Sequence, residues 1–386
     1  MLRLPSTYLA PPILLSCGLT LLTYDLPGSY LEGVLLLAMT AFVIMLVDLL
    51  FGARLPTFAQ FRAHGYVGTR EAFVALAFAC GVMFFCLLDL TLYPIPLIDN
   101  PASYANMEGG HEHIRHISDM CWALPPIGLL CARSKWLRNL LIAAGLIFPV
   151  LVIDRNRIFA SLFSFALVVM FRRDESRPLP WKTVGFLALT GGVVFSVLGM
   201  LRSGSLDTVT LPFSAMYRAA PQGVKWLLLY VSAGPYNFGA MLAKHYSNAS
   251  FLINQVVPMA GSIATAGTGI PLDAPNINVG TEFFPFLMAL GPVGAVASIL
   301  ALYAMLWWSV RRLRSPISVF SWLIFLRMSY VCVMSPFAPQ AFTWTHGGFI
   351  ALCLVMQVLA AWLPNRRAPP MGMTHAAKEI SLPTFQ

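Results

Sequence analysis

The sequence predicts an all-α polytopic membrane protein, and three observations carry that prediction. Of its 386 residues, 58% are hydrophobic and 11% charged, against about 45–50% and about 25% in an ordinary soluble domain. The mean hydropathy of +0.73 excludes a disordered chain, which needs low hydrophobicity and high charge. The apolar residues fall in long unbroken runs rather than short alternating segments, which excludes a membrane β-barrel and leaves helices as the spanning structure.

Ten runs approach the roughly 17–25 residues that a crossing needs, and the segments between them separate by charge. The first, 8–24, has only Arg3 before it and Tyr24-Asp25 after it in place of a small-residue cleavage site, so it reads as a retained helix. Arg54, Arg62 and Arg70 divide the second run, 30–51, from the third, 72–93. An acidic segment leads to the fourth, 117–132, and Arg133, Lys135 and Arg138 precede the fifth, 139–153. The sixth, 158–171, ends at Arg172 and Arg173, with Arg177 and Lys182 before the seventh, 184–201. After a long segment come 284–310, 317–334 and 348–363, with Arg311, Arg312 and Arg314 after the first of these and Arg366, Arg367 and Lys378 after the last. With the N-terminus inside, seventeen of the 25 lysines and arginines fall on the cytoplasmic side, as the positive-inside rule requires. Both termini are then cytoplasmic.

The expected organisation is a bundle over 1–201, a large periplasmic loop over 202–283, three further helices over 284–363 and a cytoplasmic tail over 364–386. Within the loop, the apolar stretch 224–242 contains Gly234-Pro235. It reads as a re-entrant or interfacial element, or as a further pair of crossings that makes twelve in all. The net charge of +9 reflects topology, so nucleic acid is not an expected partner. No Walker or Rossmann pattern is present, and no nucleotide or other cofactor is expected.

The hairpin over 139–171 is the most informative local feature. At about 1.5 Å per residue it rises roughly 50 Å in all, short of two crossings of about 30 Å. Its turn, Ile153-Asp154-Arg155-Asn156-Arg157-Ile158, is therefore expected below the outer surface. Arginine at that depth calls for an anion or an aqueous cavity, and the guanidinium fork matches phosphate oxygens. Arg155 and Arg157 thus read as ligands for a lipid phosphate or diphosphate. From the residues alone the other reading is equally open: Asp154 pairs with one arginine while the other reaches the headgroups.

Further candidates face the same side. Arg327 lies inside the ninth run, either as a functional cation or as the structural partner of Asp48 or Asp89. Arg202 and Arg218 complete a set of outward cations. Glu282 closes Asn276-Ile277-Asn278-Val279-Gly280-Thr281-Glu282, where the chain re-enters the membrane. It could take a proton from a sugar hydroxyl or cap the next helix. His113 and His116 share a helix face as a weak metal pair, without the HExxH spacing or a third ligand; a polar, sugar-facing loop is the alternative. His346, after Trp344 and Thr345, is a second base or donor. Tyr217, Tyr236, Phe238, Tyr246 and Trp344 suit carbohydrate stacking and the interfacial aromatic belt alike.

With these residues in hand, the chain resembles the bacterial O-antigen and exopolysaccharide repeat-unit polymerases (Wzy-type), relatives of the O-antigen ligases. The likeness is one of architecture over most of the length. Its local marks are Asp154-Arg155-Asn156-Arg157, Gly234-Pro235-Tyr236-Asn237, and Asn276 to Glu282 running into Phe283-Phe284-Pro285-Phe286-Leu287 and Gly291-Pro292-Val293-Gly294. The resemblance implies a GT-C-like membrane fold and a metal-independent glycosyl transfer at the periplasmic face. Glycan on undecaprenyl diphosphate would pass to a new lipid-linked repeat unit, with a flippase and a chain-length regulator as partners. The diphosphate-binding role would fall on Arg155 and Arg157, then Arg202, Arg218 and Arg327. The resemblance places no carboxylate for acceptor activation; Glu282 and the histidine cluster are the candidates by position, and Tyr236, Asn237, Asn276, Asn278 and His346 are candidate glycan contacts.

Overall fold

The computed structural model describes residues 3–52, 54–99, 112–173, 185, 189, 191–193, 210–258, 260–261, 267, 269–275, 277–314 and 317–364. Among these, regular structure is helical throughout, with a single isolated β-bridge between Tyr24 and Phe213. The helices are α1 (Ser6–Thr23), α2 (Gly28–Phe51), α3 (Phe58–Ala63), α4 (Arg70–Leu92), α5 (Glu112–Ser118), α6 (Leu124–Cys131), α7 (Lys135–Leu151) and α8 (Arg155–Phe171). They continue as α9 (Ala215–Ala219), α10 (Gln222–Ala243), α11 (Ala249–Val256), α12 (Phe284–Arg312), α13 (Val319–Met334) and α14 (Trp344–Trp362).

Five of them, α1, α2, α4, α12 and α14, are long and apolar enough to cross a membrane. α13 is apolar but has 16 residues, and it is the centre of the bundle: residues 319–326 are all buried. Surface leucines, valines and phenylalanines on α2 and α4 are exposed, among them Leu50, Phe51, Phe73 and Phe84, as expected of a face that meets lipid rather than water.

Eight of the ten expected runs appear as helices close to the expected bounds. The fourth does not. Residues 117–132 divide into the end of α5, a 3-10 turn over Asp119–Ala123, and the short α6. Pro125 and Pro126 start α6, where proline's missing N–H is harmless, and the turn before it accommodates them. The seventh run, 184–201, lies almost wholly outside the described residues.

Proline inside a helix leaves a carbonyl without its i+4 donor, and at two of these positions another element supplies one. Pro235 frees the Val231 carbonyl in α10, which accepts from the Ser16 hydroxyl of α1 at 2.5 Å. Pro292 frees the Met288 carbonyl in α12, which accepts from the Asn248 amide at 2.9 Å. Gly291 beside it takes φ 70° and ψ −166°, a conformation open to glycine, and breaks α12 near its start.

α10 is one continuous helix rather than a broken pair. Its bonds and close approaches run to Ser16, Thr20, Tyr30 and Gly33, the outer halves of α1 and α2. Gly33 and Gly239 allow the α2 and α10 backbones to touch: a Cβ on Gly239 would lie 2.4 Å from the Tyr30 carbonyl. Small residues at a crossing are how helices approach closely in a membrane. α10 therefore packs closely against α1 and α2.

The two ends of the bundle differ in charge. At one, Arg3, Arg54 and Arg314 line a common cavity, and Arg70 donates to the last carbonyls of α14. At the other lie Asp25, Asp154, Asp273 and Glu282. The apolar core joins them through α13, where Trp322, Phe325, Phe61 and Phe171 form an aromatic cluster.

Candidate functional site

The acidic end holds a cavity of about 200 Å³ between the 3-10 turn, α13 and the start of α14. Its wall includes His116, Asp119, Trp122, Arg327, Trp344 and His346. The short elements into which the fourth run divides create it: the 3-10 turn carries Asp119 and Trp122 past α13 instead of filling the space with a straight helix.

Arg327 dominates the wall electrostatically. Its guanidinium carbon lies 5.9 Å from the Trp122 ring centre and 5.6 Å from that of Tyr330, within the range of cation–π attraction. Among the described residues it makes no hydrogen bond and no ion pair. Neither acid expected as its structural partner is available. Asp48 accepts from the Ser6 amide at 2.7 Å and the Tyr303 hydroxyl at 2.6 Å. Asp89 accepts from the Ser118 hydroxyl at 2.7 Å. Asp119 and Glu282 are the acids whose charge reaches it, neither of them at ion-pair distance, and it faces the cavity that Asp119 also lines.

Arg157 is in the opposite situation. Its side chain is 8% exposed, with Asp154 at 2.9 Å, Asp89 at 3.6 Å and Asp119 in direct contact. It also donates to Ser118 at 3.2 Å. The chain's own carboxylates thus occupy the place foreseen for a lipid phosphate. Asp154 has a second task, accepting from the Asn156 and Arg157 amides as the N-cap of α8. Within the turn, Val152, Ile153 and Arg157 are buried against the rest of the protein. Arg155, at the first position of α8, is half-buried and engaged in contacts of its own. Asn156 accepts from the Tyr330 hydroxyl at 2.5 Å and from the Gln340 amide group at 2.9 Å, which ties the hairpin to α13 and to the loop beyond it.

That loop, 335–342, is held by Glu282. The carboxylate is fully buried and accepts from the Gln340, Ala341 and Phe342 amides at 2.5, 2.8 and 3.1 Å. Burial raises its pKa to about 7, opposed by the three amides and by Arg327. Both roles expected of Glu282 give way to a third. It has no surface to offer an acceptor sugar, and what it caps is the loop leading to α14.

Tyr236 and Asn237 are likewise internal. Tyr236 stacks on Tyr24 at 4.3 Å and donates to Asp273 at 2.7 Å. Asn237 donates to the Ile277 and Val279 carbonyls at 2.9 and 2.8 Å. These bonds tie Tyr236 and Asn237 to Asp273, Ile277 and Val279, whereas Asn278 is exposed. Asp273 also receives Tyr30 at 3.0 Å and Lys244 at 2.6 Å, and these donors hold its carboxyl below the usual range against the opposing effect of burial.

Arg218 is a surface residue, with Asp25 at 3.7 Å. Arg202 and Asn276 lie outside the described residues, as does the His113 side chain. His116 stands edge-on to Trp344 with ring centres 5.0 Å apart. Among the described residues, no three His, Cys, Asp or Glu side chains converge as metal ligands. His346 is buried, with Nε2 3.2 Å from the Met328 sulfur and Nδ1 unpartnered.

The structure adds Asp119 to the candidates. Its side chain is half exposed into the cavity and anchored from behind by Arg157. An acid inside an expected crossing is a functional signal by default; counting only span-interior cations overlooked it.

The fold and site define an all-helical, membrane-embedded protein with an arginine-bearing cavity at its acidic end. No protein-family model, curated protein or solved structure matches the chain.

Proposed function

We propose that this protein is an oligosaccharide repeat-unit polymerase of a bacterial inner membrane. In this reading the chain crosses the membrane ten times, with both termini cytoplasmic and the cavity on the periplasmic side. It moves glycan from undecaprenyl diphosphate onto a hydroxyl of a new lipid-linked unit.

The observation that carries the reading is Arg327: an unpaired guanidinium in a membrane helix, facing a cavity walled by Trp122, Trp344, His116 and His346. As the acceptor oxygen bonds to the anomeric carbon, the anomeric C–O bond to the diphosphate breaks and its electron pair departs with the diphosphate. A fixed cation stabilises that charge most as it develops. Arginine stays protonated and supplies this without a metal. The hydroxyl proton passes to a carboxylate, and Asp119 is the base the reading assigns. Arg157 then acts through Asp119 rather than on the diphosphate.

Purified protein incubated with lipid-linked repeat units, with and without chelator, should lengthen the glycan unaided. Absence of lengthening in both conditions would overturn the assignment. A ligase passing finished glycan to lipid A or to a protein could use the same cavity; a deletion strain would then still contain polymer on lipid. The break in α12 at Gly291 favours a third reading, a lipid-linked glycan flippase, because transporters bind substrate at discontinuous helices. Lengthening by the protein alone excludes it.

A further inference from the structure

A second cavity lies at the opposite end of the bundle. It measures about 450 Å³ and lies between α4, α6, α7 and the end of α14. Phe73, Leu76 and Leu137 form its apolar wall, and Arg70, Arg133 and Ser134 its rim. Phe73 is itself 61% exposed, so the cavity opens onto the lipid-facing side of α4.

The rim is built for an anion. Arg70 is fixed, donating through one nitrogen to the Ala361 and Leu363 carbonyls at 3.1 and 2.6 Å, which leaves the remainder of its fork unclaimed. Arg133 makes no hydrogen bond or ion pair among the described residues. Ser134 is the N-cap of the 17-residue α7, yet its side chain caps nothing, so the first-turn amides of that helix are without a side-chain acceptor. Lys135 follows at once. Two arginines and a helix N-terminus above an apolar crevice match a phosphate headgroup on an acyl chain in charge and in polarity.

We infer that this crevice binds one anionic glycerophospholipid, its phosphate between Arg70 and Arg133 and an acyl chain along Phe73 and Leu76. The site is separate from the Arg327 cavity and independent of the proposed reaction. Basic pockets between membrane helices at the cytoplasmic face recognise such lipids by this chemistry, and the positive-inside orientation puts Arg70 and Arg133 on that face.

The test uses the full chain in detergent micelles, analysed by native mass spectrometry with added dioleoylphosphatidylglycerol or dioleoylphosphatidylcholine. The wild type should retain phosphatidylglycerol over phosphatidylcholine by at least about fivefold. Arg133→Glu should abolish the preference and Arg133→Ala should reduce it, with unchanged thermal unfolding in lipid-free detergent because Arg133 is exposed and bonds nothing. Equal retention of the two lipids by the wild type would overturn the proposal. So would an undiminished preference in Arg133→Ala, the variant that decides the matter if Arg133→Glu does not fold.

Discussion

Arg157 holds Asp154 at 2.9 Å across a single turn of α8, and the same guanidinium faces Asp89 from α4 and Asp119 from the 3-10 turn. One cation therefore ties together three elements through charge. Removing it strands a carboxylate, Asp89, that is 4% exposed. Arg157→Met should destabilise the protein by about 3–5 kcal/mol, the usual effect of leaving a buried charge unpaired. Thermal unfolding in detergent measures it, and pairing the change with Asp89→Asn should recover part of the loss, a coupling that a double-mutant cycle reads directly. If Arg157→Met unfolds at the wild-type temperature, the arginine is not the structural centre described.

Arg327 should behave in the reverse manner. Asp119 and Glu282 feel its charge but neither pairs with it at ion-pair distance, so Arg327→Met should cost much less stability than Arg157→Met. Glycan lengthening by the purified variant should fall about 10²- to 10³-fold, the range for losing one donor to a developing anion. Arg327→Lys keeps the charge without the fork and should fall between the two. A stable Arg327→Met of full activity would remove this residue from the proposed site.

Glu282 gives the fold a pH dependence. Its pKa is raised by burial to about 7, so the folded state holds a proton that the unfolded chain releases near 4.5. A raised acid stabilises below the unfolded value and progressively less as pH rises, so this contribution should decline between about pH 4.5 and pH 7. At about 1.4 kcal/mol per pKa unit the change is on the order of a few kcal/mol. Unfolding of wild type and Glu282→Gln across this range should differ in slope, the variant lacking that decline. Parallel profiles would show that Glu282 does not titrate there.

Gly239 makes a steric prediction. A Cβ at this position would sit 2.4 Å from the Tyr30 carbonyl, and neither backbone can yield without separating α2 from α10. Gly239→Leu should lower stability by about 1–3 kcal/mol, the range for overpacking. The 273–279 segment should become open to proteolysis as Tyr236 and Asn237 lose their places. Wild-type resistance in this variant would argue against the close crossing.

Much of the fold was legible because a membrane leaves few choices. Apolar runs of the right length had to become helices, and the distribution of arginines among the intervening segments foretold which helix ends would share one end of the bundle. Arg3, Arg54 and Arg314 do meet there. The shortness of the hairpin over 139–171 likewise foretold a buried turn, since helix rise per residue is fixed. The division of 117–132 was not legible in this way, because apolar composition alone does not distinguish one span from a turn and a short helix.

The roles of the charged residues were a different matter. Residue type and depth by themselves marked Arg157, Glu282 and Arg327 as alike: polar groups where water is scarce. Which of them would find a partner depended on residues far away in the sequence, Asp89 and Asp119 for Arg157 and the amides of Gln340 to Phe342 for Glu282. Composition and periodicity therefore determined that this chain is a helical membrane protein with cations near its acidic end. Only the tertiary structure decided that, of these three, Arg327 is the one without a hydrogen-bond or ion-pair partner among the described residues, because satisfaction of a buried charge is set by distances of a few ångströms between elements that the sequence does not order in space.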